Sequence, residues 1–314
     1  MRDLLVVGGG PVGLVTALTA ARAGLRVCVL EAREAPIDKA CGEGLMPGAV
    51  RALADLGVTV GGMPFLGIRY TDGRSSAVAD FRAGFGLGVR RTALHAALVR
   101  AAATTPGIDL VHGTVSGIEQ DGRGVVAHGL RARYLVAADG LHSPIRRSLH
   151  LDRAAAGRPR WGMRAHFAVR PWSSHVEVHW AGSALAGEAY VTPVGDDCVG
   201  IAVLGSDRGG FDDRLAAFPL LRSRLPGRPV GRVLGAGPLR QDVARRVVGR
   251  VLLAGDAAGY VDALTGEGLS MGFACATAAV RRIVEGRPER YEADYRRITR
   301  RYRLLTSTLV RTTG

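Results

Sequence analysis

The sequence contains very little lysine and few aromatic residues. Lys39 is the only lysine among 42 lysines and arginines, and aromatic residues make up 5% of the 314 residues. The formal net charge is +14, but it is carried by arginines spread along the chain. Because a nucleic-acid surface needs clustered positive charge and stacking aromatics, we rank a nucleic-acid-binding or purely membrane-surface protein last and expect no nucleic-acid partner.

Long apolar runs and paired cysteines are also missing. No run reaches the ~20 apolar residues that a membrane-spanning helix needs. The first residues form an apolar, strand-like segment rather than a signal peptide. The four cysteines, at 28, 41, 198 and 275, form no CxxC pair. We therefore expect a cytoplasmic protein whose thiols are reduced.

The N-terminal segment contains a strand–turn–helix–strand pattern. The apolar run LLVV is followed by Gly8-x-Gly10-x-x-Gly13, a helical stretch, and a second apolar run that ends at Glu31. The three glycines permit a tight turn, a close approach of the backbone to a pyrophosphate, and close packing of helix on strand. A carboxylate at the end of the second strand can accept hydrogen bonds from a ribose. The pattern predicts a dinucleotide site for NAD(P) or FAD.

Three later segments place polar groups or glycines at predicted strand ends. Arg91 precedes the helical run TALHAAL, Asp139-Gly140 follows the strand YLVAA, and Gly255-Asp256 follows the strand VLLA. Ligands of open α/β sheets bind at the carboxyl ends of the strands. The glycine-rich segment TGEGLSMG then opens a predicted helix that contains Gly266, Gly268 and Gly272.

Taken together, these motifs resemble the FAD-binding fold of the p-hydroxybenzoate hydroxylase type, which includes monooxygenases, geranylgeranyl reductases and halogenases. The resemblance covers most of residues 1–285, with the motifs in the family's order. It implies an α/β protein in which a Rossmann-like FAD-binding domain is interleaved with an antiparallel-sheet substrate domain. The implied divisions are 1–68, 88–158 and 240–285 for FAD, 69–87 and 159–239 for substrate, and 286–314 for a basic C-terminal helix.

The resemblance implies FAD contacts along the whole series of motifs. By this resemblance Glu31 binds the adenosine ribose, Arg91 lies near the pyrophosphate, and Val115, in a strand TVSGI, lies beside the adenine. The amides that open the helix at Gly268 would point at the pyrimidine edge of the flavin, where a helix N-terminus stabilises the negative charge of the reduced ring. The implied FAD-binding residues are Gly8, Gly10, Pro11, Gly13, Glu31, Ala32, Arg33, Arg91, Val115, Asp139, Gly140, Gly255, Asp256, Gly266, Glu267, Gly268 and Leu269.

Between residues 160 and 240 the pattern changes to short alternating runs typical of antiparallel strands. In HVEVHW, His175, Glu177 and His179 face one side and the apolar residues face the other. We interpret the His-Glu-His face as a sheet face rather than a metal site, and expect no metal. His179 and Pro193 are the candidate substrate contacts.

The sequence does not decide which residues are catalytic. His166 and Tyr190 are candidates for an acid or base, or else packed residues. Cys41, in the loop KACGEG, is a candidate redox or nucleophilic group, or a small residue in a tight turn. By resemblance this loop lies beside the isoalloxazine.

Two enzymatic hypotheses follow from the resemblance. The first is a monooxygenase that takes electrons from NADPH or NADH and uses FAD and O₂ to hydroxylate or epoxidise a hydrophobic aromatic, polyketide- or isoprenoid-derived molecule through a flavin hydroperoxide. The alternative is a geranylgeranyl reductase-like enzyme that saturates isoprenoid double bonds, which the Cys41 loop and the DALTGEG segment favour. The arginine-rich tail is predicted to be an amphipathic helix packed on the domain, with peripheral contact to a membrane surface as the alternative.

Overall fold

The computed structural model describes residues 1–181, 187–206 and 209–313, with side chains up to residue 306. The strands are β1 Arg2–Val7, β2 Val27–Glu31, β3 Gly44–Leu45, β4 Met63–Phe65, β5 Gly67–Thr71, β6 Ser76–Asp80, β7 Gly86–Gly88, β8 Ile108–His112, β9 Ile118–Gln120, β10 Val125–Ala127, β11 Leu130–Ala137, β12 Asp152–Arg153, β13 Trp161–Phe167, β14 Val176–Trp180, β15 Glu188–Gly195, β16 Cys198–Gly205, β17 Val230–Ala236, β18 Asp242–Val243, β19 Val247–Val248 and β20 Val251–Leu253. The helices are α1 Pro11–Arg22, α2 Pro47–Asp55, α3 Arg91–Thr104, α4 Pro144–Ser148, α5 Phe211–Leu215, α6 Pro219–Arg222, α7 Gly268–Val284 and α8 Tyr291–Thr313.

The first sheet is largely parallel and has the order β19-β20-β11-β1-β2-β8, with β10 and β9 attached beside β11. Strands β20, β11, β1, β2 and β8 run parallel to one another. The apolar residues of β1, β2, β20 and the second half of β11 are buried, as in a sheet covered on both faces, whereas the edge strand β8 is largely exposed. The carboxyl ends of these strands therefore meet at one edge, where the polar motifs of the sequence follow them.

Two apolar clusters cover this sheet. One joins the strands to α7 and α8, and the other joins α1, α2, α3 and α7. Helices α1 and α7 belong to both clusters. The residue Gly272 of α7 packs against Val12 of α1, and a Cβ there would lie 2.6 Å from the Val12 side chain. This glycine therefore serves helix packing.

The second large sheet has the order β17-β13-β16-β15-β14-β5-β6 and is antiparallel except where β14 meets β5. The four runs predicted as strands between 160 and 205 are β13 to β16. One face of this sheet packs against α5 and α6, and its other face contributes to a small cluster that includes Val178, Tyr190 and Leu204. The predicted mixture of a Rossmann-like sheet and an antiparallel sheet is confirmed.

Helix α8 packs on the parallel-sheet half through its tyrosines. Tyr291, Tyr295 and Tyr302 are buried, as are Thr299 and Thr306, whereas Leu305 is 47% exposed. The buried face therefore runs along the helix as far as its side chains are described, and Leu305 lies off it. Among the residues that the structure describes, no helix is both long and apolar enough to cross a bilayer.

Candidate active site

A cavity of about 1180 Å³ lies between the carboxyl ends of the parallel strands and one face of the antiparallel sheet. Pockets for a single small ligand have volumes of roughly 300–1,000 Å³, so this cavity has room for a large cofactor with a second molecule beside it. One end is lined by backbone and charged groups and the other by apolar side chains.

The glycine turn after β1 has the geometry that the sequence predicts. Gly8 has φ +104°, in a region that side chains disfavour, and a Cβ there would lie 2.3 Å from the carbonyl oxygen of Ala138. A Cβ on Gly13 would lie 1.8 Å from the carbonyl oxygen of Gly8. The turn and the start of α1 therefore fit together only with bare backbone at both positions, and Pro11 occupies the first turn of the helix.

Gly10 leaves open space beside a cation. The nearest atom to a Cβ on Gly10 is the Nη2 of Arg91, at 4.0 Å. The Nε of Arg91 is buried without a hydrogen-bond partner among the described residues. An open cradle at a helix N-terminus, with a guanidinium beside it, is what a pyrophosphate requires.

Glu31 ends β2 and holds the glycine turn. Its Oε2 accepts from the backbone N–H of Gly9 at 2.8 Å, and its Oε1 accepts from the Nε of Arg33 at 2.9 Å. Burial alone would raise the pKa of Glu31, but the hydrogen bonds and charge of Arg33 outweigh burial and lower it. Glu31, Ala32 and Arg33 all line the cavity, so an ionised carboxylate is available to a ribose.

Asp139 and Arg146 organise the turn after β11. Asp139 accepts from the N–H of Ile145 at 3.2 Å, while its Oδ1 is buried without a partner among the described residues, and burial raises its pKa. Arg146 is buried and donates to the carbonyl oxygens of Leu141 and Ala257. It thereby joins the loop after β11 to the loop after β20.

Asp256 forms an ion pair with the only lysine of the chain. The Nζ of Lys39 lies 3.0 Å from its Oδ2. Burial would raise the pKa of Asp256, but the Lys39 ammonium outweighs burial and lowers it. Gly255, with φ +61°, lines the cavity beside this pair. The first α/β unit is thus connected to the loop after β20 across the cofactor end of the cavity.

The N-terminus of α7 lines the cavity. Gly266 has φ +65°, α7 begins at Gly268, and both residues line the cavity together with Leu269. Glu267 is exposed and outside the lining, and its contact with the cofactor stays a prediction. The first amides of this helix are unpaired within it and face the cavity region.

The loop from Cys41 to Gly44 faces the same region. Glu43 is 4% exposed and has φ +58°, which is uncommon for a residue with a side chain. Its Oε1 accepts from the N–H of Arg91 at 2.8 Å, and its Oε2 lies 2.5 Å from the Nε2 of His166. Glu43 therefore connects the cofactor half to the antiparallel sheet.

Apolar residues line the other end of the cavity. They come from one face of the antiparallel sheet and from neighbouring loops: Ile68, Val176, Val178, Tyr190, Thr192, Ala202, Leu204 and Leu239. The hydroxyl of Tyr190 donates to the carbonyl oxygen of Leu264 at 2.8 Å. Cys41 and Tyr190 also line the cavity, and their catalytic role stays a prediction.

Several sequence-based assignments need correction. His179 lies on the opposite face of β14 and contacts Glu177 at 3.1 Å, because side chains alternate along a strand. Pro193 and His166 are also outside the lining. The carbonyl of Pro193 packs so closely on Gly88 that a Cβ there would meet it at 1.7 Å, and His166 lies behind Glu43. Neither histidine is a cavity residue.

The segment TVSGI is not a strand. It connects β8 to β9, and Val115 is 7% exposed in this connection. Val115 nevertheless lines the cavity with Gly113 and Thr114. The residue predicted for the adenine region is therefore placed by a loop that leaves the sheet after Gly113, whose N–H still donates to the carbonyl oxygen of Glu31.

Lys39, Glu43 and Arg164 also line the cavity, although no sequence motif assigned them to the site. An acidic residue between two glycines, two positions after Cys41, was the available signal for Glu43. Arg164, on β13, is almost fully buried and pairs with Asp38. No signal identified Lys39 beyond its being the only lysine. The described residues contain no group of three metal-ligating side chains.

The open cradle at Gly10, the orphaned Nε of Arg91 and the carboxylate of Glu31 fit a dinucleotide, and the α7 N-terminus fits an electron-rich ring. Fold and site thus define a dinucleotide-binding flavoprotein. The family model described as FAD binding domain matches residues 1–198. The chain belongs to this FAD binding domain family and is an FAD-dependent oxidoreductase.

Relatives and solved structures extend this result. Menaquinone reductase from Mycobacterium tuberculosis is 29% identical over 301 residues, which cover 86% of this chain and 73% of that protein. Digeranylgeranylglycerophospholipid reductase 1 from Methanopyrus kandleri is 30% identical over 319 residues, covering 90% and 80%. The structure of p-nitrophenol 4-monooxygenase from Pseudomonas putida superposes with a TM-score of 0.82 at 22% identity, covering 99% of this chain and 89% of that one.

Proposed function

We propose that this protein is an FAD-dependent reductase that saturates a double bond in a hydrophobic isoprenoid-type substrate, with NADPH or NADH as the electron donor. The observation that carries the proposal is the apolar end of the cavity, which lies beside the α7 N-terminus and is lined by side chains such as Val176, Val178 and Leu204. The two relatives named above support it, because both are reductases and one acts on a geranylgeranyl lipid.

The residues of the cofactor end would hold FAD by its polar parts. Glu31 would accept from the adenosine ribose, the Gly10 cradle and Arg91 would hold the pyrophosphate, and the Lys39–Asp256 pair would lie beside the ribityl chain. The α7 N-terminus would favour the reduced, negatively charged ring. Bound FAD would supply hydride transfer, and the protein would supply orientation and exclusion of water.

The apolar end would bind the substrate by burying its apolar surface rather than by forming specific hydrogen bonds with it. Burial of apolar surface stabilises a complex by about 25 cal/mol per Å². Two β-branched side chains of β14, Val176 and Val178, present a flat surface on which an unsaturated chain can lie. Cys41 and Tyr190 each carry a proton on a polar side chain at this end, and they are the candidate proton donors.

A monooxygenase is the second candidate. It is favoured by the single parallel sheet, since a hydroxylase of this fold needs no second dinucleotide domain for its transient electron donor. Its substrate would be an aromatic or olefinic molecule in the same apolar space, with O₂ as co-substrate. The same α7 N-terminus would serve it, so the two candidates differ in what oxidises the reduced flavin.

The test is anaerobic. Enzyme reduced by dithionite is mixed with geranylgeranyl lipids without O₂, and flavin absorbance and product mass are recorded. The reductase hypothesis expects reoxidation and a product heavier by two hydrogens. Reoxidation only on admission of O₂, with an oxygenated phenolic or olefinic product and NADPH consumption accelerated by that compound, would replace it with the monooxygenase. The Val178→Phe variant is the control, because it narrows the apolar end and should keep FAD but lose substrate.

A further inference from the structure

Three charged side chains are buried together beside the apolar end of the cavity. Arg160 lies just before β13, Glu188 is the first residue of β15, and Asp262 lies in the loop before α7; their exposed fractions are 6%, 0% and 3%. The Nη2 of Arg160 donates to Glu188 Oε1 at 2.5 Å, and its Nε lies 3.0 Å from Asp262 Oδ2. We call these three residues the buried cluster.

The charges of the buried cluster do not balance when both carboxyl groups are ionised. One guanidinium faces two carboxylates, which leaves a net charge of −1. Glu188 Oε2 and Asp262 Oδ1 have no hydrogen-bond partner among the described residues. An uncompensated buried charge destabilises the folded protein, and uptake of one proton removes it.

The pKa values of both carboxyl groups of the buried cluster are raised. Burial raises the pKa of Glu188 to about 7, with Arg160 opposing the rise and Asp262 adding to it. Burial also raises the pKa of Asp262, and the charge of Arg160 opposes it. Near neutral pH the cluster therefore holds a proton on Glu188 in part of the molecules.

The other titratable groups around the cluster are tyrosines. They come from β5, β15, the loop before α7, and α8, and burial raises the pKa of each of them: Tyr70, Tyr190, Tyr260 and Tyr302. All four stay neutral near pH 7, so none of them neutralises the extra negative charge. The proton on the carboxyl pair is the local source of neutrality.

Tyr190 connects this proton to the cavity. Glu188, Tyr190 and Thr192 lie on one face of β15 because side chains alternate along a strand, and Tyr190 and Thr192 line the cavity. The Tyr190 hydroxyl donates to the carbonyl oxygen of Leu264, and Glu188 Oε2, two positions earlier on the same face of β15, has no hydrogen-bond partner among the described residues. Because the Tyr190 hydroxyl lies between the Glu188 carboxyl group and the cavity, it can donate its proton to a molecule in the cavity and then take a proton from Glu188.

We propose that the buried cluster is a proton reservoir that serves the apolar end of the cavity through the hydroxyl of Tyr190. The proposal rests on the proposed reductase function. Saturation of a double bond adds one hydride, with two electrons, from reduced FAD to one carbon, and one proton to the other. That proton leaves the Tyr190 oxygen, which takes a proton from Glu188, and solvent reprotonates Glu188.

A purely structural role is the competing explanation, because the buried cluster also ties the loop before α7 to the antiparallel sheet. The two explanations differ in their pH dependence. A reservoir makes substrate reduction slow down as pH rises through about 7, since Glu188 then loses its proton. If the buried cluster is only structural, the rate of this step does not depend on the ionisation of Glu188.

The experiment uses the FAD-loaded protein and the variants Glu188→Gln and Tyr190→Phe. Glu188→Gln leaves one guanidinium and one carboxylate, so the charges balance and folding is expected. The control is Glu177→Gln, on the opposite face of the neighbouring strand, where Glu177 accepts from Trp172. Infrared spectra follow the protonated carboxyl band against pH, and single-turnover mixing follows reoxidation of the reduced flavin by a geranylgeranyl lipid.

The reservoir predicts a carboxyl band that disappears with a midpoint near pH 7 and is absent from Glu188→Gln. It also predicts reoxidation about 10-fold slower or more at pH 7 in both variants, a flat pH profile in Glu188→Gln, and an unchanged Glu177→Gln. Absence of the band at pH 6 in the wild-type protein overturns the proposal, as does a wild-type pH profile in both variants. A band without any reoxidation by isoprenoids shows that the proposed function has failed, and the delivery step with it.

Discussion

The parallel sheet reaches the cavity with the loops at its strand ends, whereas the antiparallel sheet reaches it with a face. The loops present backbone amides, glycines and charged groups at fixed positions, among them Gly10, Glu31 and Asp256. The face presents small and branched apolar side chains. A loop at a strand end fixes a polar ligand atom by atom, and a sheet face accepts any molecule of the right width. The cofactor half is therefore specific, and the other half is where related enzymes can change substrate.

The strongest way to break this contrast is to place a methyl group inside the glycine turn. In Gly13→Ala, the new Cβ would lie 1.8 Å from the Gly8 carbonyl oxygen, so α1 and β1 must separate. We expect a loss of more than about 3 kcal/mol in unfolding free energy and loss of FAD. Thermal unfolding and the flavin content of the purified protein measure both effects.

Gly10→Ala is the matched control for that substitution. The nearest atom to its Cβ is 4.0 Å away, so the apoprotein should keep its stability within about 0.5 kcal/mol. The methyl group nevertheless enters the cradle, so FAD should bind more weakly. If Gly13→Ala were as stable as Gly10→Ala, close packing would not be the reason for the third glycine.

A smaller effect is expected at the ribose end. Glu31→Ala removes the acceptor of the Gly9 N–H and the proposed partner of the adenosine ribose. A hydrogen bond to a charged group is worth about 1.5–3 kcal/mol, so FAD should bind at least ~10-fold more weakly while the chain stays folded. Isothermal titration of the apoprotein with FAD measures the change. Glu34→Ala, at an exposed residue three positions later, should bind FAD like the wild type; equal affinities in both variants would contradict the ribose assignment.

The contrast between the two halves also explains how far the sequence could be interpreted. The glycine spacing, Glu31 and the strand-end motifs of the cofactor half were predictable, because each follows from a local backbone requirement. Gly272 was included in the same argument although it packs on Val12. The sequence does not distinguish a glycine that allows two helices to pack closely from a glycine that leaves room for a ligand.

The residues that the sequence did not assign make long-range contacts. Lys39 meets Asp256 and Glu43 meets His166, across 217 and 123 positions of the chain. Within the antiparallel half, alternation correctly separated the two faces of β14 but could not show which face meets the cavity. That choice depends on how the sheet packs against the rest of the molecule, and periodicity contains no information about it.

The smallest effect is expected for His179, which was predicted to contact the substrate but lies on the other face of β14. His179 is on the side of β14 away from the cavity, where it contacts Glu177. Removing the imidazole leaves the hydrogen bond from Trp172 to Glu177 in place. His179→Ala should therefore cost about 1 kcal/mol or less in stability and leave FAD affinity and substrate KM unchanged. Its neighbour Val178 points the other way, so Val178→Phe should raise KM strongly at unchanged FAD affinity. A higher KM in His179→Ala alone would mean that substrate contacts both faces of β14, and the assignment of the antiparallel sheet's inner face as the substrate surface would have to be abandoned.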